Sequence, residues 1–183
     1  WDHGGVTAPV PQPAGPRRPT LVDRDDLRPY AVVAALVAVM WAVELVDLVP
    51  GTPFDSWGIR PRSARGLVGI PLAPFLHSGF GHLFANTLPF LVMGCVIAVG
   101  GLTRFFQVTL IVAAVSGMTT WLLASPGTVH LGASGLVFGY LTYLITRGFF
   151  AARPAWILGG LVVLVVYGGV LWGLLPRPGV SWT

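Results

Sequence analysis

The sequence predicts an all-α polytopic membrane protein with a single helical core. Two observations carry this. Hydrophobic residues make up 54% of the chain and charged residues 10%, with a mean hydropathy of +0.75. A soluble domain carries roughly 25% charge. In addition, five apolar stretches, four of about bilayer-crossing length and the fourth in order short for full crossing, alternate with breaks rich in proline and glycine.

The net charge of +4 rests on arginine alone, since no lysine is present. The arginines are scattered among the loops. They read as a membrane-topology signal, and nucleic acid is not an expected partner. The single cysteine, Cys95, excludes an internal disulfide. Residues 1–29 are rich in proline and glycine and lack the apolar core of a signal peptide. They are expected to form a disordered N-terminal tail, and residues 30–183 the membrane domain.

Tyr30 to Val49 is the first expected span. Glu44 and Asp47 near its far end are expected to snorkel to the interface or pair with loop arginines. Residues 50–81 form a long loop that Pro50, Pro53, Pro61, Pro71 and Pro74 keep from being one helix. It retains Phe54, Trp57, Leu67, Val68, Ile70 and Leu72, too apolar for a plain linker. Short helices half-inserted in the outer leaflet are expected there, with Trp57 at the interface and Arg60, Arg62 and Arg65 among headgroups. The second span runs from His82 to Val99, the third from Thr103 to Leu123 and the fourth from Leu131 to Thr146. The fifth runs from Pro154 to Leu175, with Pro154 suited to its first turn.

Arginine placement orients the bundle. With the N-terminus inside, seven of the 11 arginines fall on inner segments and four on outer ones. This predicts a multi-pass protein of the cell membrane with a cytoplasmic N-terminus. His82 and Ser134 then head two different helices toward the same outer face.

That pairing is the chemical signal. His82 and Asn86 are four residues apart and share a helix face. Buried in lipid they would be costly, so they should face protein or water. Ser134 lies in Gly132-Ala133-Ser134-Gly135, where small neighbours let a substrate backbone approach. Its own N–H sits at a helix N-terminus, which favours an anion. A serine nucleophile needs a base, a stabilised oxyanion and water. His82 and Asn86 could add oxyanion donors, each worth about 3 kcal/mol of barrier in a soluble serine protease. The plainer reading of Gly135 and Gly139 is close helix packing through a small-xxx-small pattern. His130, four residues before Ser134, reads as a solvated or loop-capping histidine.

The stretch His77-Ser78-Gly79-Phe80-Gly81-His82-Leu83-Phe84-Ala85-Asn86, followed by Gly132-Ala133-Ser134-Gly135, resembles the rhomboid family of intramembrane serine proteases. Gly58-Ile59-Arg60-Pro61 and Glu44-Leu45-Val46-Asp47 look like its actinobacterial members. The resemblance implies a rhomboid-like bundle, with five of the family's six transmembrane helices present. It also implies cleavage of transmembrane protein substrates within the lipid bilayer, without cofactor or metal. By motif, Ser134 would be the nucleophile. His82, Asn86 and the Ser134 amide would form the oxyanion site, with Gly132 and Ala133 beside the substrate. Phe138 sits where the family has an aromatic stacked on the catalytic imidazole, and His77 matches a structural first-loop histidine. The family's base is a histidine on the sixth helix. None of His3, His77, His82 and His130 matches it, and the chain stops near where that helix would begin. The 183-residue chain is therefore expected to be inactive alone. The competing readings are a rhomboid-like pseudoprotease that holds membrane clients, and a small transporter subunit using Glu44, Asp47, His82 and Asn86.

Overall fold

A computed structural model of the protein describes residues 24–51 and 54–150, together with Trp1. Within these residues it is helical and contains no strand. The helices are α1 (Arg24–Asp47), α2 (Ala64–Leu72), α3 (Phe80–Ala98), α4 (Leu102–Leu123) and α5 (Ser134–Phe150). Short 3-10 turns at Phe54–Trp57 and Ala73–Phe75 flank α2. The span expected at 154–175 lies outside the described residues, as does most of the expected tail. Three described segments are long and apolar enough to cross a membrane: Leu27–Asp47, Phe80–Ala98 and Leu102–Leu123.

Helix α3 is the hub, in contact with α1, α4 and α5. Its buried residues Leu83, Asn86, Phe90, Met93, Gly94 and Ile97 recur at three- and four-residue steps, which makes one stripe. From α1, Val33, Met40 and Glu44 turn inward. The Trp41 indole N–H also donates to the Thr87 hydroxyl at 3.0 Å. Phe90, Phe105 and Tyr140 meet between α3, α4 and α5, with centroids 5.6 Å and 6.3 Å from Tyr140 to the two phenylalanines. Thr109 donates to the Phe105 carbonyl at 2.7 Å, so the Tyr140 hydroxyl is the donor in its 2.6 Å bond to Thr109. Helices α4 and α5 approach closely: a Cβ at Gly135 would lie 2.9 Å from Ser116 Oγ, and one at Gly139 would overlap Val112. The packing expected of Gly135 and Gly139 is thus present. Phe84, Leu88, Leu110, Ile111 and Val115 point outward, as lipid-facing positions do.

The first loop folds over the end of the bundle where α1 and α4 finish and α3 and α5 start. It is fastened by backbone polar groups. Ile59 and His130 exchange both backbone hydrogen bonds, at 2.7 and 2.9 Å. The Gly132 N–H donates to the Ala73 carbonyl at 2.8 Å. The Arg62 guanidinium donates to the Leu122 and Ala124 carbonyls, which the end of α4 leaves without helical partners. Trp121 returns a bond from its indole N–H to the Ser63 carbonyl at 2.9 Å. Ser63 also caps α2 by accepting from the Gly66 N–H. The short helices expected in this loop are therefore present, with Trp57, Leu67 and Val68 exposed.

Several boundaries differ from the sequence reading. Helix α1 begins at Arg24 and carries Pro29 within it, so it starts before Tyr30. Helix α5 begins at Ser134, not Leu131, because Gly132 has a φ of +108° and its N–H is held by Ala73. It continues past Thr146 to Phe150. Glu44 neither snorkels nor meets a loop arginine. It is 5% exposed, on the inward face of α1. Asp47 Oδ1 accepts the Phe54 N–H at 3.2 Å and so ties α1 to the start of the loop.

Candidate active site

Gly132 sets the site. Its φ of +108° is one that L side chains rarely adopt, and the chain turns there into α5. Ala133 is fully buried and its carbonyl accepts the Val137 N–H at 3.0 Å, so it caps the helix. Ser134 is then the first helical residue, among the unpaired N–H groups of the first turn. It lines a cavity of about 820 Å³. The same cavity is lined by His82 and Ser78, by Gly132, Gly135 and Phe138, and by Ser116 and Thr120 of α4. Ala73 and Pro74 of the first loop and His130 complete the nearby wall.

His82 approaches from the first turn of α3. A Cβ built on Gly132 would lie 2.5 Å from His82 Cε1 and 2.7 Å from Nε2. Only glycine leaves room for the imidazole there. The other ring nitrogen, Nδ1, lies 3.3 Å from Ser78 Oγ. Asn86 is buried one turn deeper. Its Nδ2 donates to the His82 carbonyl at 3.0 Å and lies 3.7 Å from the Gly132 Cβ position. A side-chain amide has two N–H donors, so one remains beyond that bond. Asn86 backs the wall of the cavity and does not line it.

His77 packs behind His82, edge to ring at 5.2 Å and 67°. It is 2% exposed, and burial, with His82 as the next cause, lowers its pKa to about 4. His77 is thus neutral at physiological pH. His130 is held differently. The Thr128 hydroxyl donates to the Ser125 carbonyl at 2.6 Å, so His130 Nε2 must be the donor in its 2.8 Å bond to Thr128. Burial lowers its pKa. This is the loop-capping role expected of it.

The structure therefore gathers Ser134, Gly132, Phe138 and His82 on one cavity, with Asn86, Ala133 and His77 packed behind. It adds three hydroxyls that the sequence reading passed over: Ser78, Ser116 and Thr120. Their signal was present in the four-residue steps from Ser78 to His82 and from Ser116 to Thr120. Hydroxyls and imidazoles on the wall of this cavity give water partners inside the bundle. Among the described residues no three His, Cys, Asp or Glu side chains converge as a metal site.

A serine at a helix N-terminus facing a histidine across a glycine, inside a bundle of membrane helices, defines a class. The rhomboid domain matches residues 65–183, and the chain belongs to the rhomboid family. That family is one of intramembrane proteases, and the apolar helices fit a multi-pass membrane protein. An uncharacterized protein of Mycobacterium bovis is 42% identical over 193 residues, covering 97% of this chain and 80% of that protein. An uncharacterized protein of Mycobacterium tuberculosis matches to the same extent. Another, from Mycobacterium leprae, is 42% identical over 159 residues, 82% of this chain and 63% of its own. No solved structure matches the chain.

Proposed function

We propose that the protein is an intramembrane serine endopeptidase acting on the transmembrane helices of other membrane proteins. One observation carries the reading: Ser134 shares a cavity with His82, whose ring lies against Gly132. Ser134 Oγ attacks the scissile carbonyl. The oxyanion is met by the Ser134 N–H, the His82 ring and the second N–H of Asn86. Gly132 and Ala133 form the strip of backbone beside the substrate. Phe138 and His77 support the site, Phe138 from one turn past the serine and His77 from behind the imidazole.

The base is a histidine outside residues 24–150. Three described histidines sit in other surroundings: His77 is buried, the His82 ring lies against Gly132 with Nδ1 near Ser78, and His130 donates to Thr128. The site opens to the outer face, and the N-terminus is cytoplasmic, as the arginine distribution favours. No bound metal or cofactor is needed for this chemistry.

The test is cleavage of a transmembrane-helix reporter by the full-length protein in proteoliposomes. Ser134→Ala should reduce it by at least about 10³-fold, the scale of losing a nucleophile. Cleavage that persists in that variant would overturn the assignment.

A further inference from the structure

The chemistry of His82 depends on which ring nitrogen carries its proton. As an oxyanion donor it must present Nε2–H toward the Gly132–Ser134 turn, so Nδ1 must be an acceptor. A neutral imidazole has one donor and one acceptor nitrogen, so an Nε2–H donor leaves Nδ1 to accept, and the Ser78 hydroxyl can donate to it. Two independent contacts orient this ring. The Cε1–Nε2 edge lies against Gly132, and Nδ1 lies 3.3 Å from Ser78 Oγ.

Ser78 is itself held in place for that contact. It sits between His77, which is 2% exposed, and Gly79, which starts α3 with a φ of +113°. The Gly79 carbonyl accepts the Leu83 N–H at 3.1 Å, so the chain enters α3 at this point. The turn sets the Ser78 hydroxyl one helical turn before His82, 3.3 Å from its Nδ1. Asp55 of the first loop also interacts electrostatically with the ring.

We infer that Ser78 is a positioning residue: its hydroxyl donates to His82 Nδ1 and thereby fixes the tautomer that offers Nε2–H to the oxyanion. The role in cleavage rests on the protease reading above. The contact of Ser78 with Nδ1 does not.

The experiment is nitrogen NMR of the full-length protein in detergent, carrying ¹⁵N-labelled histidine, at pH 8 where an ordinary imidazole is neutral. His82 signals are assigned by their loss in His82→Gln. Wild type should show His82 protonated at Nε2. Ser78→Ala should raise the Nδ1-protonated fraction, and Ser78→Thr should restore the wild-type pattern. In the cleavage assay Ser78→Ala should lower kcat about five-fold with KM unchanged, the scale of one hydrogen bond. Ser78→Thr should recover it. An unchanged nitrogen pattern in Ser78→Ala overturns the inference, and so does an unchanged kcat. If the wild-type protein does not cleave, the protease reading falls, and the nitrogen spectra alone decide whether Ser78 sets the tautomer.

Discussion

At one end of the bundle α3 and α5 face each other through His82, Asn86, Gly132 and Ser134. A few turns along, the same two helices meet through Phe90, Met93, Tyr140 and Leu144. The second region is apolar, and its polar contacts run through Thr109, which donates to the Phe105 carbonyl and accepts from Tyr140. Lipid is as apolar as these side chains, so its cohesion comes from packing more than from a hydrophobic drive. Such packing tolerates small changes of shape. The first region is fastened by directional bonds: Ile59 with His130, Gly132 to Ala73, and Arg62 onto the end of α4. Reactive groups need placement to within a fraction of an ångström, and hydrogen bonds to backbone supply it. One region holds the helices together, and the other aims their ends.

Four substitutions or conditions would break or sharpen this contrast. Ser134→Ala should have the largest effect on turnover and almost none on stability, because the hydroxyl takes no part in the fastening. Reporter cleavage and a thermal melt in detergent, read on the same sample, check both halves.

Gly132→Ala should damage both. A Cβ there meets the His82 ring at 2.5 Å, and the φ of +108° is strained for alanine. The strain alone costs about 1–3 kcal/mol, and displacing His82 should reduce cleavage by about 10²-fold. A lowered melting temperature together with lost activity is the expected pair. An unchanged melt would mean that the turn is less constrained than its bonds indicate.

Acid should loosen the site end. His77 has a folded pKa of about 4, below the ordinary 6.5. Between those values the unfolded chain binds the proton and the folded one does not. Stability is therefore full above pH 6.5, falls as pH drops toward 4 and levels off below. The total is at most about 3 kcal/mol. Melting temperatures across that window check it, and His77→Phe should flatten the curve.

Tyr140→Phe should be the smallest change. It removes the bond to Thr109 and keeps the ring between Phe90 and Phe105, for a loss of about 0.6 kcal/mol. A loss several times larger would show that the apolar half also depends on directional bonding.

Much of this was legible in the chain. Four of the five expected spans match helices, because a run of about 20 apolar residues leaves the backbone no other way to satisfy itself in lipid. His82 and Asn86 were readable as one helix face, and Ser134 as lying near a helix N-terminus, because those relations are local. Glu44 was misread, since its burial comes from the packing of α1 against helices distant in sequence, which no local pattern records. The start of α5 was misplaced because the bond that stops the helix comes from Ala73, in another loop.

Composition and short-range spacing were enough for a bundle of membrane helices, their order and the candidate site residues, because periodicity and propensity act within a few residues. That Ser134 and His82 share one cavity, that His77 is neutral behind them and that Ser78 lies beside Nδ1 came from tertiary packing. Ser134 stands 52 residues after His82. Their meeting depends on the close packing of α4 on α5 and on backbone bonds between loops, and no local pattern in the chain encodes those.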